Sequence, residues 1–195
     1  FIIEDDYDTE FRFQGRPLAP MQTMDPERVI YMNTFSKTLS PSIRISYMVL
    51  PQALMARFRE KLGFYGCTVP SFEQYTLAYF LDRGYFEKHI NRMRKSYRTR
   101  RTEIRAILEN CPGRFSILEQ EAGLHFLLRL DTGRSDAELY QLAARMGVRL
   151  GFLSEYAAVP KPEFAHTLVI NYAGLSPQRL PEAIRLLSEV LLPLL

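Results

Sequence analysis

Thr34-Phe35-Ser36-Lys37-Thr38-Leu39-Ser40-Pro41 follows an apolar run at 28–32 and sets a lysine in a polar turn at the end of a buried strand. Further runs at 1–3 and 45–50 read as strands of the same kind, apolar throughout rather than alternating. Short buried strands of this type suit a mainly parallel sheet covered by helices, an α/β arrangement. Ligands of such sheets gather at the carboxyl ends of the strands, where this lysine stands.

A lysine there can form a Schiff base if a partly desolvated site beside other cations lowers its pKa, and Arg44 is a candidate for such a cation. The hydroxyls of Thr34 and Ser36, together with Arg44, can hold a phosphate dianion through charge-assisted hydrogen bonds. Taken alone, the Ser-Lys pair reads as a solvated loop lysine. Glu4-Asp5-Asp6-Tyr7-Asp8 follows the first apolar run and puts carboxylates and a phenol at the end of a second strand. An aspartate in that place can pair with a protonated pyridine nitrogen, and a tyrosine can hydrogen-bond a ring oxygen. A metal-binding carboxylate cluster and a plain acidic loop are the competing readings.

Helical spacing appears at 52–61 behind Pro51, at 72–82 with Ser71 as the expected N-cap and Gly84 as the stop, and over 85 to about 109. The apolar seam of that long helix runs through Phe86, Ile90, Met93, Tyr97, Ile104 and Leu108. Its basic stretch, 88–101, is read as a solvated face rather than a nucleic-acid contact. Tyr75, Tyr79 and Phe80 are read as core. After Pro112-Gly113 come strand-like runs at 115–118, 124–130, 148–150 and 168–172, a helix at 136–146 and a final helix from about 177 to 191, which together make a small α+β domain. Residues 155–165 are read as a surface loop.

The chain has 195 residues, 47% of them apolar and 24% charged, with a formal charge of +3. That charge falls short of the dense positive field that binding to a phosphate backbone normally needs. Cys67 and Cys111 lie outside any metal spacing and are expected to be free thiols. His89, His125 and His166 are scattered and read as structural, and no metal site is expected. No apolar run has the length of a membrane span, and the opening residues lack the pattern of a signal peptide, so a cytoplasmic location is expected. The start at Phe1-Ile2-Ile3, inside an apparent strand, suggests a piece of a longer protein.

Taken together, Glu4-Asp5-Asp6-Tyr7-Asp8-Thr9-Glu10-Phe11-Arg12, Gly15-Arg16-Pro17 and Thr34-Phe35-Ser36-Lys37-Thr38-Leu39-Ser40-Pro41-Ser42-Ile43-Arg44-Ile45-Ser46-Tyr47 resemble the effector domain of MocR-type regulators. These are GntR-superfamily transcription factors in which a winged helix-turn-helix domain precedes a domain with the fold of type I pyridoxal-phosphate (PLP) aminotransferases. The likeness is dense over about the first 50 residues and continues more loosely through Ala122-Gly123-Leu124-His125-Phe126 to the C-terminus.

The resemblance implies that 1–84 is the C-terminal portion of the PLP-binding large domain, 85–110 a long interdomain helix and 111–195 the small α+β domain. It makes Lys37 the internal-aldimine lysine, Asp5 the partner of the pyridine nitrogen and Tyr7 the donor to the ring oxygen, with Thr34, Arg44 and Ser36 around the phosphate. It further implies a homodimer, an amino compound or PLP itself as effector, and DNA contact only through a preceding winged-helix domain. One position departs from the aminotransferase pattern: Gly174 stands where an arginine grips the substrate carboxylate, and Arg179 lies a few residues on, within the next helix. Glycine offers no bidentate clamp, which argues for a sensor and leaves an aminotransferase acting on an amino acid or amine as the alternative.

Overall fold

The computed structural model describes residues 1–13, 15, 18–109, 115–118, 123–174 and 178–191, arranged in two compact units, Phe1–Arg94 and Lys95–Leu195. Arg16, Pro17, Cys111 and Ala122 lie outside the described residues, as does the expected start of the last helix at 177.

The first unit is built on a three-stranded sheet in the order β1 (Ile2–Asp5), β2 (Val29–Thr34), β3 (Ser46–Val49). β1 and β2 run parallel, connected through the short α1 (Met21–Met24), whereas β3 returns antiparallel to β2. The Glu4 carboxylate accepts from the Met21 and Gln22 amides at 2.8 and 3.0 Å, tying α1 to the strand edge. The expected burial of all three strands holds only partly. Val29 is buried, but Ile3 is 66% and Met48 52% exposed within this chain. An apolar run reports a preference for leaving water, and what covers it is decided by partners distant in sequence.

After β2 the chain makes one helical turn, α2 (Phe35–Thr38), and after β3 it enters α3 (Gln52–Leu62) and α4 (Ser71–Asp82). Ser71 is the first helical residue of α4 and not its cap. Pro70 holds the cap position, its carbonyl accepting from the Gln74 amide at 3.1 Å. Gly84 ends the run with φ +68°, a left-handed conformation that suits glycine and turns the chain into α5 (Tyr85–Glu109). Tyr75 and Tyr79, expected in the core, are exposed on α4. On α5 the seam residues Ile90, Tyr97, Ile104 and Leu108 are buried as the spacing predicts. The basic face is not uniformly solvated: Arg101 is buried and Arg100 lies over the Tyr97 ring. The boundary between the units falls inside α5.

The second unit carries an antiparallel sheet, β4 (Phe115–Leu118), β5 (His125–Leu130) and β6 (Thr167–Asn171), with β5 central. Phe126, Leu128 and Leu130 point into the core while Arg129 faces water, the two-residue period of a half-buried strand. Leu139 and Ala143 of α6 (Asp136–Arg145), Leu150 and Phe152, and Tyr97, Ile104 and Leu108 of α5 are buried in the same unit. Each such Leu or Phe contributes roughly 2 kcal/mol on burial, more than a surface pair such as Arg105–Glu109 at 3.3 Å. The apolar face therefore holds this unit. The strand expected at 148–150 is absent, because the Val148 amide closes onto the Ala143 carbonyl at the end of α6. Residues 155–165 contain 3-10 turns, and α7 (Leu180–Leu191) completes the described chain. No helix among the described residues is long and apolar enough to cross a membrane.

Candidate functional site

Because β1 and β2 are parallel, the chain leaves both strands at one edge of the sheet, with Asp5, Asp6 and Tyr7 on one exit and Thr34 to Lys37 on the next. The antiparallel β3 begins at that same edge, where Ser46 pairs with Thr34, and so brings Arg44 to it. The pleat divides these residues between two faces. Asp5 is in register with Met32, which shares its face with Thr34, whereas Asp6 joins Tyr31 and Asn33 on the other.

The turn that carries Lys37 is fastened at its start. The Thr34 hydroxyl accepts from the Ser36 amide at 3.2 Å, capping α2, and donates to the Ile45 carbonyl at 3.1 Å. The Phe35 amide donates to that same carbonyl at 2.9 Å. Ile45 is buried, so this double acceptor pins the lysine turn to the segment bearing Arg44. Arg44 has φ +46°, a left-handed conformation uncommon outside glycine and concentrated at functional sites. Lys37, Arg44 and Asp5 are exposed, and among the described residues none of their three side chains makes a hydrogen bond or ion pair. Ser36 is engaged through its backbone amide. The Tyr7 phenol is pushed above its ordinary pKa, first by the Asp8 charge, then by partial burial and by Asp5, so at neutral pH it remains a proton donor.

The opposite face holds a polar network that sequence reasoning missed. Tyr31 donates its hydroxyl to Asp6 Oδ2 at 2.9 Å and accepts from Asn33 Nδ2 at 3.0 Å. Asn33, itself buried, also reaches Glu10 Oε1 at 3.2 Å, and its Oδ1 accepts from the Thr34 amide at 2.6 Å. The Tyr47 ring lies beside that of Tyr31, with the centroids 6.2 Å apart. Desolvation raises the pKa of both phenols and of the Glu10 carboxyl. The signal in the sequence was the pair Tyr31 and Asn33, polar-tipped residues two apart inside an apolar strand.

In the second unit Gly174 is exposed, and a Cβ built on it would meet no atom within 4 Å. Arg179 precedes α7. His166 has a carboxylate partner that sequence spacing hid. Asp136 accepts from the His166 amide at 2.8 Å, lies 3.5 Å from its Nδ1 and takes the Ser154 hydroxyl proton at 2.6 Å, binding three loops together. Cys67 is an exposed thiol. Among the described residues no three His, Cys, Asp or Glu side chains gather as metal ligands do.

Comparison with known proteins agrees with this architecture. An uncharacterised HTH-type transcriptional regulator of Bacillus subtilis, YhdI, is 41% identical over the whole chain, which covers 42% of that protein. The probable rhizopine catabolism regulatory protein MocR of Rhizobium meliloti is 36% identical over the whole chain, covering 39% of its length. Among solved structures, the α-aminoadipate aminotransferase LysN of Thermus thermophilus, complexed with N-(5'-phosphopyridoxyl)-L-leucine, superposes with a TM-score of 0.79 at 25% identity, over 98% of this chain and 50% of its own. The chain thus spans about two fifths of the length of these regulators and half that of the enzyme. The family model for aminotransferase class I and II matches residues 8–187. By that match, and by the sheet and strand-edge arrangement beneath it, the chain belongs to the class I and II aminotransferase family.

Proposed function

We propose that this chain is the C-terminal part of a PLP-binding, effector-sensing domain in a MocR-type transcriptional regulator. The carrying observation is that one sheet edge presents an uncommitted amine, carboxylate and guanidinium, on Lys37, Asp5 and Arg44, beside the Tyr7 phenol. That donor set fits the cofactor group by group. Lys37 would hold its aldehyde carbon covalently through Nζ, Asp5 would keep its pyridine nitrogen protonated, and Tyr7 would donate to its ring oxygen. Arg44 would pair with the phosphate, helped by Ser36 and by Thr34 once its hydroxyl turns from the Ile45 carbonyl. Bound there, PLP supplies an electrophile for primary amines and a sink for electrons.

Identity to the regulators along the whole of this chain supports a sensing role, as does Gly174, which leaves the expected amino-acid carboxylate without its clamp. In this reading an amino compound or PLP is the effector, and DNA is contacted by a winged-helix domain outside this chain. The protein works as a cytoplasmic homodimer. Residues 1–84 belong to the large domain, 85–110 form the helix between domains and 111–195 the small domain. The aminotransferase alternative draws support from the family match and uses Lys37 as the base that moves a proton.

The deciding test is a PLP titration of the full-length protein followed by visible absorbance, wild type against Lys37→Ala. The lysine-bound chromophore is expected in the wild type and not in the variant. An unchanged band in Lys37→Ala would refute the assignment, and rapid conversion of bound PLP to pyridoxamine phosphate by an amino acid would favour the enzyme.

A further inference from the structure

Asp5 and Thr34, two of the groups read as holding the cofactor, share one face of the sheet, while a side-chain network centred on Tyr31 lies on the other. Asp5 and Asp6 are adjacent and point to opposite faces, as do Thr34 and Asn33. Asp6 and Asn33 are joined through a single atom, the Tyr31 hydroxyl, which donates to Asp6 Oδ2 at 2.9 Å and accepts from Asn33 Nδ2 at 3.0 Å. The link closes on the backbone at both strands. The Asp6 amide donates to the Met32 carbonyl at 2.9 Å, and Asn33 Oδ1 takes the Thr34 amide at 2.6 Å. Asn33 is also braced by Glu10, whose carbonyl is gripped by Arg94 Nε and Nη2 at 3.0 and 2.7 Å.

A part-buried polar network of this kind is stiff because breaking any of its bonds leaves a partly desolvated group unpaired, and Glu10 Oε2 is its one buried oxygen without a partner among the described residues. Tyr31 is suited to its centre: desolvation keeps its phenol protonated, and its ring packs toward Tyr47. Asp5 has no side-chain restraint on its own face, so its direction is inherited through the backbone from Asp6. Thr34 is held by its hydroxyl bonds to Ser36 and Ile45, and its amide is fixed in addition by Asn33 Oδ1.

We infer that Tyr31 and Asn33 are positioning residues that set the orientation of Asp5 and Thr34, and with them the affinity and protonation behaviour of the cofactor, from the far face of the sheet. The inference rests on the cofactor reading above. It assigns these two residues no contact with the cofactor, and it makes Asp6 their anchor on β1.

The test uses the full-length protein and PLP, read as the dissociation constant from absorbance and as the pH midpoint at which the bound chromophore changes colour. Tyr31→Phe removes one hydroxyl and leaves the ring. It is expected to weaken binding about tenfold, the size of one part-buried hydrogen bond, and to shift the pH midpoint. Asp6→Ala, which removes the acceptor and leaves the tyrosine, should reproduce both effects even if Tyr31→Phe proves unstable. Asp6→Asn keeps an oxygen acceptor and should restore affinity to within a few-fold.

Wild-type affinity and pH midpoint in folded Tyr31→Phe and Asp6→Ala would overturn the inference, as would a loss of thermal stability with both readouts unmoved, since that is a purely structural role. Failure of the cofactor reading looks different. The chromophore would then be absent from the wild type or would survive in Lys37→Ala, which sinks the reading and the inference with it.

Discussion

Arg94 holds the backbone carbonyl of Glu10 with two nitrogens, Nε at 3.0 Å and Nη2 at 2.7 Å, across 84 positions of sequence. Arg94 belongs to α5 and Glu10 to the segment leaving β1, so a helix turn is fastened to the stretch that follows Asp5 and Tyr7. Arg94→Ala is expected to destabilise the protein by about 2 kcal/mol, the range for hydrogen bonds from a charged donor. Arg94→Lys should recover part of this, since an ammonium lacks the planar fork. Urea midpoints of the three proteins decide it, and equal midpoints for wild type and Arg94→Ala would show the grip to be idle.

Tyr172 is fully buried against Phe126 and Tyr97, and its hydroxyl donates to the Gly123 carbonyl at 2.6 Å. Tyr172→Phe keeps the ring packing and strands that carbonyl in the core, at a cost of about 1–2 kcal/mol. Tyr172→Leu should cost more, because ring contacts go as well. Chemical denaturation that ranks the two variants the other way would contradict the packing described here.

Helix α6 opens with a reciprocal cap: Ser135 Oγ accepts the Glu138 amide, and the Glu138 carboxylate accepts from the Ser135 amide at 2.8 Å. The bonds to Ser135 hold the Glu138 carboxyl below its ordinary pKa of 4.5. A group whose pKa is depressed by folding stabilises the fold while it is ionised and ceases to do so on protonation. The contribution is therefore present above about pH 4.5 and fades as pH falls through the lowered value. Glu138→Gln should make the unfolding midpoint less dependent on pH between neutral and acid conditions, and a slope identical to wild type would count against it.

Gly174 is exposed, with open space where a side chain would begin. Gly174→Arg should leave stability within about 0.5 kcal/mol of wild type, as surface substitutions usually do. If the missing guanidinium is what limits reaction with amino acids, this variant should convert bound PLP to pyridoxamine phosphate at least about tenfold faster than wild type, in line with a bidentate carboxylate contact. Single-turnover absorbance with an α-amino acid measures it. An unchanged rate would place the limit elsewhere.

Much of the fold could be read before the structure, because periodicity records which positions avoid water. The seam of α5, the inward Phe126, Leu128 and Leu130 of β5, and the stop at Gly84 all follow from local rules. The expected strand at 148–150 shows their limit. Its apolar residues are real core, with Leu150 buried, but the Val148 amide was claimed by the end of α6. Burial and strand pairing are separate properties, and composition reports only the first.

The candidate site divides in the same way. Lys37, Asp5, Tyr7, Thr34 and Arg44 stood out as candidates because each follows or precedes a strand, and only the resemblance carried by the whole run gave them their expected roles. Strand order and register, which only the tertiary structure decided, placed them at one edge and turned Asp5 away from Asp6. The links Tyr31–Asp6, Asn33–Glu10, Arg94–Glu10 and Asp136–His166 span from 23 to 84 positions. A hydrogen bond is short and directional, so it depends on where two backbones meet in space, and the local pattern of a sequence carries no record of that meeting.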